Sequence, residues 1–171
     1  VAESTDLPVI LYNVPGRTVT DIADDTTLEL AEVSNIVGIK DATGNLERAK
    51  YLLKQRPNGF AVYSGDDPTA MELCLLGGDG DISVTANVAP QLMAQMIEFA
   101  MAGKRAEAQA LNEKLLGLHS KLFLEPNPIP SKWALSAMGL MRADCRLPLV
   151  PLTDEGQHAV RQACEQAGIS L

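Results

Sequence analysis

Asn35-Ile-Val-Gly-Ile-Lys40, followed by the stretch from Asn45 to Gln55 and then by Phe60-Ala-Val-Tyr-Ser64, decides the fold. The first run is apolar up to a terminal lysine and reads as a strand buried on both faces. The middle stretch reads as a helix, and the third as another strand. The same alternation continues in both directions. Upstream, Leu7-Pro-Val-Ile-Leu-Tyr12 is an apolar run ended by the turn signal Asn13-Val-Pro-Gly16. Thr26-Thr-Leu-Glu29 has the pattern of a capping box and opens a helix to about Glu32. Downstream, Asp67-Pro68 supplies an N-cap and a first-turn proline for a helix to about Leu76. Asp81-Ile-Ser-Val-Thr85 reads as a fourth strand, and Pro90 to Ala102 as a fourth helix stopped by Gly103.

Four strand–helix units in succession specify an α/β fold with a parallel sheet. From Lys104 the pattern becomes helical only. Leu111, Leu115, Leu118 and Leu122 share one helix face. A second helix carries Trp133, Ala134, Ala137 and Met138, and a third runs from about Asp154 to Ala167, between Thr153 as N-cap and Gly168 as stop. Glu125-Pro-Asn-Pro-Ile-Pro130, stiffened by its prolines, joins the first two. Tyr12, Arg17, Lys40, Gly65-Asp-Asp67 and Asn87 fall at or just past strand ends. That placement fits a small open sheet or half of an eight-stranded barrel. No Gly-rich phosphate loop follows the first strand, which favours the barrel. The expectation is half of a TIM (β/α)8 barrel over residues 1–103 and a three-helix region over 104–171. Val9, Leu11, Val37, Ile39, Val62, Ile82 and Val84 are expected to face into that barrel.

Composition narrows the function. The 171 residues carry a net charge of −8, with 46% hydrophobic and 21% charged residues, a globular balance. No basic cluster exists to bind nucleic acid. Cys74, Cys145 and Cys164 are scattered, which argues for a reducing compartment, and His119 and His158 have no ligand spacing for zinc. No run approaches the ~20 apolar residues of a membrane span, and no secretory signal opens the chain. Val1 stands where an initiator Met would, so an upstream segment is expected to be absent.

Lys40 is the most informative residue. A lysine ending a buried strand is desolvated, which lowers its pKa, and a neutral amine attacks ketones to form a Schiff base. The alternative is that Lys40 snorkels outward and pairs with Asp41. Tyr12 is either a proton shuttle for a reacting carbonyl or a core tyrosine with its hydroxyl at the rim. Arg17, on a rigid turn, suits bidentate capture of a carboxylate, or makes a surface salt bridge. Gly38, Gly65 and Gly80 either admit a ligand close to the backbone or serve turns and packing. Met93, Met96 and Met101 read as helix packing.

Tyr12-Asn-Val-Pro-Gly-Arg-Thr18, Gly38-Ile-Lys-Asp-Ala-Thr-Gly44, Ser64-Gly-Asp-Asp67, Gly80-Asp-Ile-Ser-Val-Thr-Ala-Asn87 and Asn127-Pro-Ile-Pro130 occur in that order. Together they closely resemble the 4-hydroxy-tetrahydrodipicolinate synthase (dihydrodipicolinate synthase) family of pyruvate-dependent class I aldolases, over the second half of that family's chain. The resemblance implies condensation of pyruvate with aspartate semialdehyde, toward diaminopimelate and lysine, in the cytoplasm. It implies that Lys40 forms the imine with pyruvate, that Tyr12 relays protons, and that Arg17 holds the aldehyde's carboxylate. It places the backbone of Ile82 at the border of the pyruvate site. It also implies no metal or organic cofactor, a homo-oligomer, as a tetramer of the complete chain, and a partner half barrel supplying a threonine and a second tyrosine. Sialic-acid lyases resemble the chain at Tyr12 and Lys40 but lack an arginine in the Arg17 turn. The chain departs from the family at Asp81, usually apolar, and at Ser131, commonly valine. Two alternatives stay open: a non-catalytic half-barrel assembly unit, and a related pyruvate aldolase with a different acceptor.

Overall fold

The computed structural model describes residues 1–171. Four strands, β1 (Val9–Asn13), β2 (Ile36–Asp41), β3 (Ala61–Ser64) and β4 (Gly80–Asp81), form one sheet in the order β1-β2-β3-β4. Every neighbouring pair is parallel. Parallel neighbours need a crossover. Helix α2 (Asp24–Ala31) supplies it between β1 and β2, α3 (Leu46–Gln55) between β2 and β3, and α4 (Asp67–Leu75) between β3 and β4. The chain divides into two compact units. One holds Val1–Ile82 with Ala100–Lys104, and the other Ser83–Phe99 with Arg105–Leu171.

The first unit packs one face of its sheet against helices. Ile36, Ile39, Leu52, Phe60 and Val62 form its buried cluster, joined by Val9, Leu11, Leu28, Leu30 and Leu53. Val9, Leu11, Ile39 and Val62 therefore point at α2 and α3, opposite to the expectation that they face into a barrel. Their alternating neighbours Ile10 and Tyr12 lie on the other face and are exposed. Strand β2 is likewise not buried on both faces, because Val37 and Lys40 are only half-buried.

Some of the local signals form caps in the structure and others do not. Asn45 caps α3 as a short polar N-cap does, its Oδ1 accepting from the N–H groups of Glu47 and Arg48, each at 3.1 Å. The Thr26 capping box does not form. Helix α2 starts earlier, behind Ala23, with Asp24 and Asp25 in its first turn. Two acids there complement the helix dipole without a side-chain cap. Asp67 is not an N-cap either. Asp66 takes that place, and Asp67 is the first helical residue. Past Asn13, the turn signal becomes a one-turn helix, α1 (Pro15–Thr18), ended by Val19 at φ 59°. Strand β4 stops at Asp81, far short of Thr85, which instead starts a short 3-10 turn to Asn87.

The second unit contains most of α5 (Pro90–Met101), with α6 (Arg105–Lys121), α7 (Ile129–Ala137) and α8 (Asp154–Gln166). Helix α8 packs on α6 and α7. Leu115, Leu118 and Leu122 are fully buried, as their spacing requires, and Val160 and Cys164 are buried on α8. Thr153 caps α8 by accepting from the Gly156 N–H at 3.2 Å. His119 is buried in α6, its Nδ1 at 2.9 Å from the Thr85 hydroxyl. No helix is long and apolar enough to cross a membrane.

Candidate active site

Register across the sheet builds the site. Tyr12 of β1 stands beside Lys40 of β2, which stands beside Tyr63 of β3, which stands beside Gly80 of β4. Parallel strands in register put these four residues in one row. The next row is Asn13, Asp41, Ser64 and Asp81, and alternation turns it to the opposite, helix-covered face. Chemistry of two kinds therefore sits one residue apart on the same strand ends.

In the first row, the Lys40 ammonium lies 4.3 Å from the centre of the Tyr12 ring, within range of a cation–π contact. Lys40 makes no ion pair, so the alternative pairing with Asp41 does not occur. Asp41 is on the other face, 4% exposed, and committed to other partners. The amine can approach the backbone beyond β3 because residue 65 is glycine. A Cβ there would sit 2.7 Å from Lys40 Cε and 2.9 Å from Ala42 Cβ. Tyr12 is 52% exposed and Ile82 42%, so this face is open to a small molecule. The Ile82 N–H donates to the Ser64 carbonyl at 2.9 Å, which fixes the backbone just past β4. Tyr63, unremarked in the sequence, joins the row only through register.

Arg17 lies in α1, on the exposed loop between β1 and α2. It makes no ion pair, so its guanidinium is available for an anion. Asn87 does not act as a strand-end group, because its amide donates to the Val84 carbonyl at 3.0 Å within its own turn.

The second row is a buried polar layer. Asn13 Nδ2 donates to Asp41 Oδ1 at 3.0 Å and to Asp21 Oδ1 at 2.7 Å. The Thr43 hydroxyl donates to Asp41 Oδ2 at 2.6 Å. Arg48, its side chain 8% exposed, reaches Asp24 at 2.6 Å and Asp41 at 3.4 Å. At the far end, neither Asp81 oxygen meets an N–H or O–H donor. Burial, then the Asp67 carboxylate, push the Asp81 carboxyl up to about 8. Cys74 of α4 lies near it, and burial, then the Asp81 charge, raise that thiol to about 12.

No group of histidine, cysteine and carboxylate side chains is arranged to hold a metal ion. The first row offers instead an amine, two phenols and an open backbone edge. That combination suits covalent capture of a carbonyl compound with proton transfer beside it.

The comparisons with known proteins point the same way. The model of the dihydrodipicolinate synthetase family matches residues 1–167. A 4-hydroxy-tetrahydrodipicolinate synthase of Nitrosomonas eutropha is 56% identical over 171 residues, all of this chain and 59% of that protein. The dihydrodipicolinate synthase of Acinetobacter baumannii, solved with pyruvate, superposes with a TM-score of 0.95 at 53% identity, over 99% of this chain and 58% of that one. A monomeric dihydrodipicolinate synthase variant superposes with a TM-score of 0.93 at 37% identity, over 99% of this chain and 58% of its own. This chain thus spans under three-fifths of the length of these relatives.

Proposed function

The chain belongs to the dihydrodipicolinate synthetase family, and on that footing we propose that it condenses pyruvate with aspartate semialdehyde to give 4-hydroxy-tetrahydrodipicolinate. The observation that carries the reading is Lys40, an amine without a carboxylate partner, held in register against Tyr12 on the open face of the sheet.

Lys40 Nζ attacks the pyruvate ketone and water leaves, forming an iminium. The methyl group then loses a proton, with the iminium nitrogen as electron sink, and an enamine results. Its carbon attacks the aldehyde of the second substrate, forming the new carbon–carbon bond. The amino group of that adduct displaces Lys40 from the imine carbon, closing the ring and freeing the enzyme. Tyr12 moves protons at the first and last of these steps. Arg17 binds the acceptor's carboxylate through charge-assisted hydrogen bonds. The Ile82 backbone borders the pyruvate. The iminium supplies the electrophilic activation, so the scheme calls for no metal or organic cofactor.

We place this chain as the last four strand–helix units of a (β/α)8 barrel, with residues 1–103 carrying the Schiff-base lysine and 104–171 forming the C-terminal helices. The sequential order of four parallel strands and the greater length of the relatives support that placement. The other half barrel supplies the threonine and second tyrosine of the proton relay. The assembled enzyme is a homotetramer working in the cytoplasm, in lysine and diaminopimelate biosynthesis.

Borohydride reduction in the presence of pyruvate tests the central claim. Peptide mass spectrometry should find one pyruvate-derived group, at Lys40. Labelling at Lys50 or Lys132 instead would overturn the assignment. Lys40→Arg should abolish labelling, because a guanidinium does not deprotonate to attack a ketone.

A further inference from the structure

The loop from Val14 to Ala23 carries Arg17; Val14, Pro15 and Ile22 at its ends are half-buried, yet its middle has nothing apolar to hold it. Gly16 through Asp21 are exposed, and Val19 is 93% exposed. Its internal hydrogen bonds are local, such as Arg17 N–H to the Val14 carbonyl at 2.8 Å. Such bonds shape a turn without fixing where the turn points. What fixes it lies at its base. The Asn13 amide spans the loop's two ends: Nδ2 donates to Asp21 at 2.7 Å, and Oδ1 accepts from the Ile22 N–H at 3.1 Å. Arg48, projecting from the first turn of α3, braces the same returning strand of chain. Its guanidinium donates to the Ile22 carbonyl at 2.7 Å and pairs with Asp24 at 2.6 Å. It also lies 3.4 Å from Asp41 and 3.7 Å from Asp21. Asp41 is the residue after Lys40. One buried fork therefore touches both the loop of the anion-binding arginine and the strand of the nucleophile.

We propose that Arg48, acting with Asn13, is a positioning residue for the acceptor: it sets the placement of the loop that carries Arg17. This rests on the function proposed above. A flexible Arg17 would still bind a carboxylate, but would spend binding energy on ordering its own loop. The planar guanidinium meets acceptors in several directions at once, which a lysine ammonium at the same place does not. The Asn45 cap, whose Oδ1 accepts from the Arg48 N–H, fixes the origin of the fork as well.

Hydrogen exchange and kinetics on the intact enzyme test the proposal together. In Arg48→Gln, amides of residues 14–23 should exchange about tenfold faster or more, the scale of a lost charge-assisted hydrogen bond. The KM for aspartate semialdehyde should rise by a similar factor, with borohydride trapping of pyruvate at Lys40 unchanged. Arg48→Lys should rescue only part of either effect. In an Arg17→Ala background, Arg48→Gln should add no further rise in the acceptor KM. Unchanged loop exchange in Arg48→Gln, or an undiminished KM effect in the Arg17→Ala background, overturns the proposal. Should Arg48→Gln fail to fold, Asp24→Asn removes one arm of the clamp and carries the same expectations. Absence of pyruvate trapping in the unsubstituted enzyme would defeat the functional reading instead. The exchange measurement would still decide whether Arg48 clamps the loop.

Discussion

At the scale of single residues, the rows on the two faces make separable predictions. Arg17→Ala removes a guanidinium with no other partner, so it should leave the fold unchanged and lower kcat/KM for aspartate semialdehyde. The loss should be about ten- to two-hundredfold, the worth of roughly 1.5–3 kcal/mol of charge-assisted hydrogen bonding. Steady-state kinetics check the loss, and pyruvate trapping at Lys40 should persist. If trapping fell equally, Arg17 would be serving the other carboxylate. Asp81 gives a pH prediction. Its carboxyl keeps a proton to about 8 in the folded chain, against 3.8 when free. Between those values the folded state holds one more proton than the unfolded state, so this group's contribution to stability falls as pH rises and levels off above the window. Asp81→Asn, neutral and similar in shape, should melt above the parent near pH 8, with the gap closing toward about pH 5. Melting curves across that range check the sign, and an unchanged gap would refute it. Burial raises the Cys74 thiol to about 12 and the Cys164 thiol to about 11, leaving both protonated at neutral pH. Iodoacetamide should therefore label Cys145, which is only partly buried, well before either.

At the scale of elements, the sequence disclosed which segments are strands and helices far better than which way they face. The helix expected from Asn45 to Gln55 forms from Leu46, with Asn45 as its N-cap, a local signal with a local cause. Asn45→Ala should lose about 1 kcal/mol, and Leu52→Ala, in the fully buried cluster of the same helix, about 2–5 kcal/mol. Denaturant titration checks both. The strands face the other way from expectation because Val9-Ile-Leu-Tyr12 is apolar at every position. Such a run carries no period-2 alternation to say which side is covered. The Thr26 box does not form because the helix already starts upstream, with acids at Asp24 and Asp25. Strand β4 is shorter than expected because the chain turns away after Asp81, although Ile82-Ser-Val-Thr85 has strand-forming residues. That Lys40 and Tyr12 stand near strand ends was legible, since each ends an apolar run. Tyr63 and the Arg48 clamp were not, since both depend on register and on contacts between segments distant in the chain.

At the scale of the whole molecule, the open face of the sheet matters most. Ile10, Tyr12 and Ile82 are exposed on this chain, whereas the larger set Val9, Leu11, Ile39 and Val62 is already covered by helices. The cost of leaving the open face wet is thus smaller than if all seven expected side chains lay on it. The 171-residue chain alone should hold secondary structure, yet bind a hydrophobic dye or self-associate through that face. On the proposed half-barrel placement it should turn over little substrate, and co-expression with the proposed complementary half should restore activity. Light scattering, dye binding and assay on the two preparations check this, and a monodisperse, fully active single chain would refute it. The interleaving of the two rows also bears on how such a sequence can change over generations. Lys40 and Asp41 serve opposite faces of one strand. Deleting a single residue between Ile36 and Lys40 would turn the Lys40 amine under the helices and drive the Asp41 carboxylate onto the open face. Substitutions in these strand ends can be sampled one by one, but a length change of one residue reverses both faces at once. Length variation among descendants of this gene should therefore collect in the exposed stretches past Leu140 and be purged from β1 through β3.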